Sequence, residues 1–68
     1  MTFGQRVRTL RQANGLTIRQ VADAIRRDFT YVSKIENDRT LPPSAEVIGS
    51  MATLLGADPE ELAILGAK

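Results

Sequence analysis

The sequence predicts an all-α fold, one five-helix domain over residues 1–68. Two observations support this prediction. Apolar residues recur three and four positions apart, which places them on one face of a helix, and the period-2 alternation of a half-buried strand is missing. Each apolar segment also follows a Thr, Asp or Ser, residues that cap a helix N-terminus well. A chain of 68 residues is long enough for one domain and no more.

The first helix is predicted to begin after Thr2 and to stop at Asn14-Gly15, because glycine readily adopts the left-handed conformation at a helix C-terminus. Thr17 caps a second helix and Asp28 a third. The predicted inward-facing residues are Phe3, Val7 and Leu10 in the first helix, Val21, Ala22 and Ile25 in the second, and Val32 and Ile35 in the third.

A fourth helix is predicted after Ser44 and is closed by Gly56. Asp58 then opens a fifth, with Pro59 at the first helical position, where its missing N–H has no cost. Glu61 completes the spacing of a capping box with Asp58. The predicted inward face of the fourth helix is Ile48, Met51, Ala52 and Leu55.

Only two residues separate Ile25 from the cap at Asp28. Two helices of about eight residues joined by so short a turn must cross steeply, as in a helix-turn-helix. This motif would occupy about residues 17–36, and its second helix would present a short, mostly polar outer face. A generic solvated helix would look similar, so the pattern alone leaves both interpretations open. The outer face is predicted to comprise Phe29, Thr30, Ser33, Lys34 and Asn37.

Composition restricts the function. The chain has no Cys and no His, so thiolate metal sites, disulfides and the commonest general base are absent, and we expect neither an enzyme nor a cofactor. No apolar run approaches the roughly 20 residues of a membrane span, and no signal peptide is recognisable. We therefore expect a cytoplasmic protein with no membrane partner and no small-molecule substrate.

Charge is distributed unevenly along the chain. Residues 1–39 carry a net charge of +4, whereas residues 40–68 carry −3. An excess of arginine in one half is typical of a surface that meets a polyanion. The alternative is that these arginines only keep helix faces soluble.

A set of short motifs with regular spacing covers nearly the whole chain. They are Leu16-Thr17, Val21-Ala22, Ile25, the run Tyr31-Val32-Ser33-Lys34-Ile35-Glu36-Asn37, Pro43-Ser44 and Leu55-Gly56. With this spacing they resemble the signature of the lambda-repressor/Cro-like helix-turn-helix family. The resemblance implies a bacterial or phage transcriptional regulator that binds double-stranded operator DNA, usually as a homodimer on an inverted repeat. An antitoxin or protein-interaction module, in which DNA binding is secondary, remains the alternative.

Position by position, the resemblance also implies site residues. Base contacts are expected from Phe29, Thr30, Ser33 and Lys34. Phe29 and Thr30 can pack on a thymine methyl group, and Lys34 can donate to guanine or reach a phosphate. Phosphate contacts are expected from the N-termini of the second and third helices and from Thr17, Arg19, Arg26, Arg27, Tyr31 and Arg39. Tyr31 has an alternative role, which is to cover the edge of the core.

Similar proteins pair the residues at Arg11 and Glu36 in a partly buried salt bridge; the alternative is two unrelated surface charges. The chain departs from the family pattern at three positions. Ile18 stands where similar proteins often carry a Gln that holds a phosphate. Arg26 stands where they often carry a Gly in a left-handed conformation, and Arg27 where they usually carry an apolar residue. A non-glycine residue in a left-handed conformation costs about 1 kcal/mol, unless the turn is built differently.

The less basic half offers a dimer surface. Val47 and Leu54 are predicted to fall off the inner face of the fourth helix, and the fifth helix contributes Ile64 and Leu65. A homodimer would double the base contacts available to so small a domain. The alternative is that these four residues complete the core.

Overall fold

The structure, a computed structural model, describes residues 1–67 and contains α1 (Phe3–Ala13), α2 (Ile18–Ile25), α3 (Phe29–Glu36), α4 (Ala45–Leu55) and α5 (Pro59–Gly66). No strand occurs among these 67 residues, so the all-α prediction is confirmed. Each predicted cap residue accepts a hydrogen bond from a backbone N–H in the first turn of its helix. Within this range no helix is long and apolar enough to cross a membrane.

The capping box predicted at the start of α5 does not form. The Asp58 carboxylate accepts a hydrogen bond from the Glu60 N–H at 3.0 Å, but Glu61 does not return one. Its Oε1 lies 3.4 Å from Nη2 of Arg6 on α1, so an opposite charge on a neighbouring helix attracts this side chain away from the cap. Reciprocal capping boxes are found at the starts of α1 and α2.

The five helices enclose one small core. Helix α1 packs on α3 and α5, α2 packs on α3 and α4, and α4 packs on α5. All the predicted inward residues of α2, α3 and α4 are buried, as are Phe3 and Val7 of α1, whereas Leu10 is half-buried. This arrangement leaves one side of α3 outside the core.

The prediction that Val47 falls off the inner face of α4 is wrong. Val47 is only 6% exposed, because α4 contacts both α2 and α5 and buries more residues than the predicted face. Leu54 and Leu65 are half-buried against the core, whereas Ile64 is 60% exposed. Val47 is therefore unavailable to a second copy of the chain.

Candidate nucleic-acid interface

The turn between α2 and α3 is built on a left-handed arginine. Arg26 has φ 59° and ψ 45°, so it takes the conformation that similar proteins assign to glycine. The next N–H, of Arg27, donates to the carbonyl oxygen of Ala22 at 2.9 Å, which closes the C-terminus of α2. Asp28 then caps α3 by accepting a hydrogen bond from the Tyr31 N–H at 3.1 Å. The turn therefore keeps its tight form at the expense of backbone strain at Arg26.

The two sides of α3 differ in exposure. Val32 and Ile35 are buried, and they fix the helix on the core. On the opposite side Phe29, Thr30 and Lys34 are exposed and Ser33 is half-buried. Together with Asn37 and Arg39, these four residues line one shallow surface depression. The structure thus brings the predicted base-contacting residues together and adds Arg39, which follows α3, to their edge.

Glu36 anchors the far end of α3 to α1. Its carboxylate is fully buried and accepts two hydrogen bonds from Arg11, one from Nε at 2.7 Å and one from Nη2 at 3.1 Å. Nη1 of the same guanidinium donates to the Leu16 carbonyl oxygen at 2.9 Å. The ion pair implied by the resemblance is thus present, in a two-pronged geometry that restrains both side chains.

A second arginine that the sequence analysis missed joins this ion pair. Nε of Arg8 lies 3.3 Å from Glu36 Oε1, and its Nη2 donates to the Asn37 side-chain oxygen at 3.0 Å. The available signal was the spacing of Arg8 and Arg11, since residues three apart lie on the same side of a helix. Two guanidinium groups therefore compensate the one buried carboxylate.

A second contact between α1 and α3, also missed, depends on Asp38. This residue has φ 56°, and its carboxylate accepts hydrogen bonds from the Thr2 hydroxyl at 2.6 Å and the Gly4 N–H at 3.1 Å. Gly4 permits the approach, because a Cβ there would meet the carbonyl oxygen of Ile35 and lie 2.8 Å from that of Glu36. Nothing in the local pattern around Asp38 signals a partner 34 residues away.

The candidate phosphate-contacting residues lie around the exposed side of the α2–α3 unit. Thr17 and Arg19 are exposed at the start of α2, and Arg26 and Arg27 are exposed in the turn. The Arg27 guanidinium lies 5.8 Å from the centre of the Tyr31 ring. This distance is within the range of a cation–π contact. The ring of Tyr31 is half-buried against the core, which is the structural role left open by the sequence.

The N-termini of α2 and α3 are not equivalent as anion sites. Thr17, a neutral residue, caps α2, and its hydroxyl accepts from the Gln20 N–H while keeping its own proton to donate. Asp28 places a carboxylate at the N-terminus of α3, where it repels a phosphate. The start of α2 is consequently more favourable for an anion than the start of α3, whereas the sequence analysis expects phosphate contacts at both.

Residues 2–65 match a family model described as a helix-turn-helix domain. The chain is 36% identical over 62 residues to the HTH-type transcriptional regulator DdrOP3 of Deinococcus deserti, an alignment that covers 91% of the chain and 47% of that protein. The chain therefore spans about half the length of this curated relative.

Two solved structures are similar in both sequence and fold. The restriction-modification controller protein C.AhdI of Aeromonas hydrophila is 38% identical with a TM-score of 0.78, over 88% of this chain and 89% of its own. The clp gene regulator ClgR of Corynebacterium glutamicum is 32% identical with a TM-score of 0.82, over 96% of this chain and 68% of its own.

Proposed function

This chain belongs to the helix-turn-helix family of transcriptional regulators, and we propose that it is a sequence-specific repressor that binds an inverted-repeat operator as a dimer. The observation that carries the proposal is the outer side of α3. It is exposed and bordered by cations, while its other side is fixed to the core and to α1. A helix held in this way can enter a major groove without rearranging.

Base recognition is assigned to Phe29, Thr30, Ser33 and Lys34. Their side chains share one depression, so they can reach neighbouring base pairs at the same time. Lys34 can donate to the O6 and N7 atoms of guanine, and the hydroxyls of Thr30 and Ser33 can both donate and accept. The buried ion pair of Glu36 fixes the position of this surface relative to the rest of the domain.

Phosphate binding is assigned to residues that flank this surface. Thr17 and Arg19 would hold one strand from the start of α2, and Arg39 would hold a phosphate beyond the end of α3. Arg26, Arg27 and the hydroxyl of Tyr31 would add contacts from the turn. Such contacts fix the position of the protein on the duplex but carry no sequence information.

Dimerisation is assigned to the side of the domain formed by α1 and α5. Ile64 is largely exposed there and borders a hollow with Met1, Leu65 and the Arg6–Glu61 ion pair. Leu54, half-buried on α4, would contribute at the edge. A second copy would bury these apolar side chains, and two α3 helices would then read two half-sites one helical turn apart.

The experiment that tests this proposal is selection of bound duplexes from a random pool, followed by sequencing. We expect enrichment of a palindrome with half-site centres about 10 base pairs apart. Recovery of a single asymmetric half-site would contradict the dimer. Binding that does not distinguish enriched from random duplexes would contradict sequence-specific repression and favour a protein-interaction module.

A further inference from the structure

Phe29 is an aromatic side chain that takes no part in the packing of the core. It is 48% exposed at the start of α3, and it is absent from the set of side chains that form or flank the core. The other two aromatic residues behave differently, since Phe3 is buried and Tyr31 packs against the core edge. Burying a phenyl ring is favourable, and folding gains only part of that free energy because Phe29 stays exposed.

The surroundings of Phe29 indicate what covers it. Its neighbours in the depression on α3 include Lys34 and Arg39, and no carboxylate lines that depression. Cations beside an apolar ring suit a polyanion with apolar groups between its charges better than a second protein surface. The major groove of DNA has this character, because its edges carry phosphates and its floor carries base edges.

Among the groups that base edges present in the major groove, only one is apolar. The others are hydrogen-bond donors or acceptors, which a phenyl ring cannot satisfy, whereas the C5-methyl group of a pyrimidine can pack against it. Thr30 follows Phe29 on the same exposed side and adds a methyl group of its own. The two side chains together form a small apolar contact at the end of α3 that leads into the groove.

We propose that Phe29, flanked by Thr30, recognises a pyrimidine C5-methyl group at one position of each half-site, so that binding depends on the methyl group itself. The inference rests on the proposed DNA-binding function and specifies what this part of the surface recognises. A thymine supplies the methyl group in unmodified DNA. A cytosine at the same position supplies it only when methylated at C5, so the protein responds to cytosine methylation there.

The test uses the duplex enriched by selection from a random pool. Each thymine is replaced in turn by deoxyuridine, which removes the methyl group and leaves every hydrogen-bonding atom in place. Since burial of one such group is worth about 0.8 kcal/mol, a substitution at the recognised position of one half-site is expected to raise the dissociation constant about fourfold, and the same substitution in both half-sites about fifteenfold. In a second series that thymine is replaced by cytosine or by 5-methylcytosine, each paired with guanine, and the methylated form is expected to bind about fourfold more tightly.

Two variants test whether the side chain of Phe29 causes the difference in affinity between the thymine and deoxyuridine duplexes. Phe29→Ala should lose most of the difference between the thymine and deoxyuridine duplexes, because only the smaller methyl group of Thr30 is left to contact the pyrimidine. Leu41→Ala is the matched control, since Leu41 is also an exposed apolar residue but lies outside α3, and it should keep the fourfold difference. Because Phe29 lies outside the core, circular dichroism should show Phe29→Ala to be as folded as the parent chain.

Each outcome is decisive. Specific binding with no difference between thymine and deoxyuridine at any position would overturn the inference and leave the proposed function standing. A difference that persists undiminished in Phe29→Ala would overturn the assignment to this residue. Failure to enrich any duplex would contradict the proposed function itself, and the inference would fall with it.

Discussion

Glu36 shows how a single residue can set the position of a whole surface. Among residues 1–67 it is the one charged residue that is buried, and both of its carboxylate oxygens are bonded to guanidinium groups of α1. A buried charge is tolerated only when partners replace its lost hydration. Arg8 and Arg11 meet that requirement, and the cost of separating them from Glu36 keeps α3 fixed on α1.

Glu36→Ala is therefore expected to lower the free energy of unfolding by about 3–5 kcal/mol, because it leaves Arg11 partly buried without its counter-charge. Glu61→Ala is the matched control. Glu61 also pairs with an arginine of α1, but its own side chain is 56% exposed, and the pair should contribute at most about 1 kcal/mol. Urea denaturation of both variants measures the difference. Equal, small losses would mean that the ion pair of Glu36 does not stabilise the domain.

Arg26 allows a test of strain against function. Arg26→Gly should raise the free energy of unfolding by about 1 kcal/mol, because glycine adopts the left-handed conformation of this position without steric conflict. The same variant should bind DNA more weakly if Arg26 contacts a phosphate. Arg27→Gly serves as the control, since Arg27 is not left-handed and its replacement should give no gain in stability. Urea denaturation measures the change in stability, and a binding titration measures the change in affinity. An Arg26→Gly variant less stable than the parent chain would contradict the conclusion that the backbone is strained at Arg26.

At the scale of elements, α1 approaches the end of α3 so closely that there is no space for a side chain at Gly4. Gly4→Ala places a methyl group against backbone carbonyl oxygens, which cannot rotate away, and should destabilise the protein by about 1–3 kcal/mol. Gly49→Ala on α4 is the control, because a Cβ there meets nothing within 4 Å. It should stabilise the protein by roughly 0.5–1 kcal/mol through helix propensity. Thermal unfolding distinguishes the two variants, and a Gly4→Ala variant as stable as the parent chain would show that α1 and the end of α3 do not meet as closely as described.

The two helices of the helix-turn-helix should make different kinds of DNA contact. Lys34→Ala or Thr30→Ala on α3 should weaken the free energy of binding to the selected site by about 1–3 kcal/mol. Each should also relax the preference at one base pair per half-site. Arg19→Ala on α2, or Arg39→Ala after α3, should weaken binding to all duplexes alike. Each of these two should also reduce the slope of log affinity against log salt concentration by about one.

Competition assays with point-mutated duplexes at two or more salt concentrations measure both effects. A Lys34→Ala variant that keeps its full base preference but loses affinity for every duplex would make Lys34 a phosphate contact. Base recognition would then depend on Phe29 and Thr30. Arg39 is the most informative of the arginines, because it lines the same depression as the base-contacting residues.

At the scale of the whole molecule, the prediction concerns a second copy of the chain. We expect a dimer in sedimentation at tens of micromolar without DNA, because Ile64 and its apolar neighbours gain burial across a two-fold axis. Ile64→Asp should be monomeric, while Ala24→Asp, which adds the same charge at an exposed position of α2, should remain dimeric. A parent chain that sediments only as a monomer would contradict a preformed dimer, and assembly on the operator would then be measured by titrating half-site against full-site duplexes.

The sequence by itself determined where the helices begin and end. Caps such as Thr17 and Asp28, and stops such as Gly15 and Gly56, act within four residues through backbone hydrogen bonds, so local order is enough to predict them. Helical periodicity likewise predicted the inward residues of α2 and α3. It also indicated the exposed outer side of α3, because a side that does not pack must face away from the core.

Only the tertiary structure decided which distant groups meet. Asp38 contacts Thr2 and Gly4, Val47 is buried in the core, and Glu61 pairs with an arginine of α1 instead of capping its own helix. These outcomes depend on how all five helices pack at once, and residue spacing within one helix carries no information about that packing. Local hydrogen bonds therefore fix the helices, whereas burial and charge between helices fix the direction in which α3 presents its outer side.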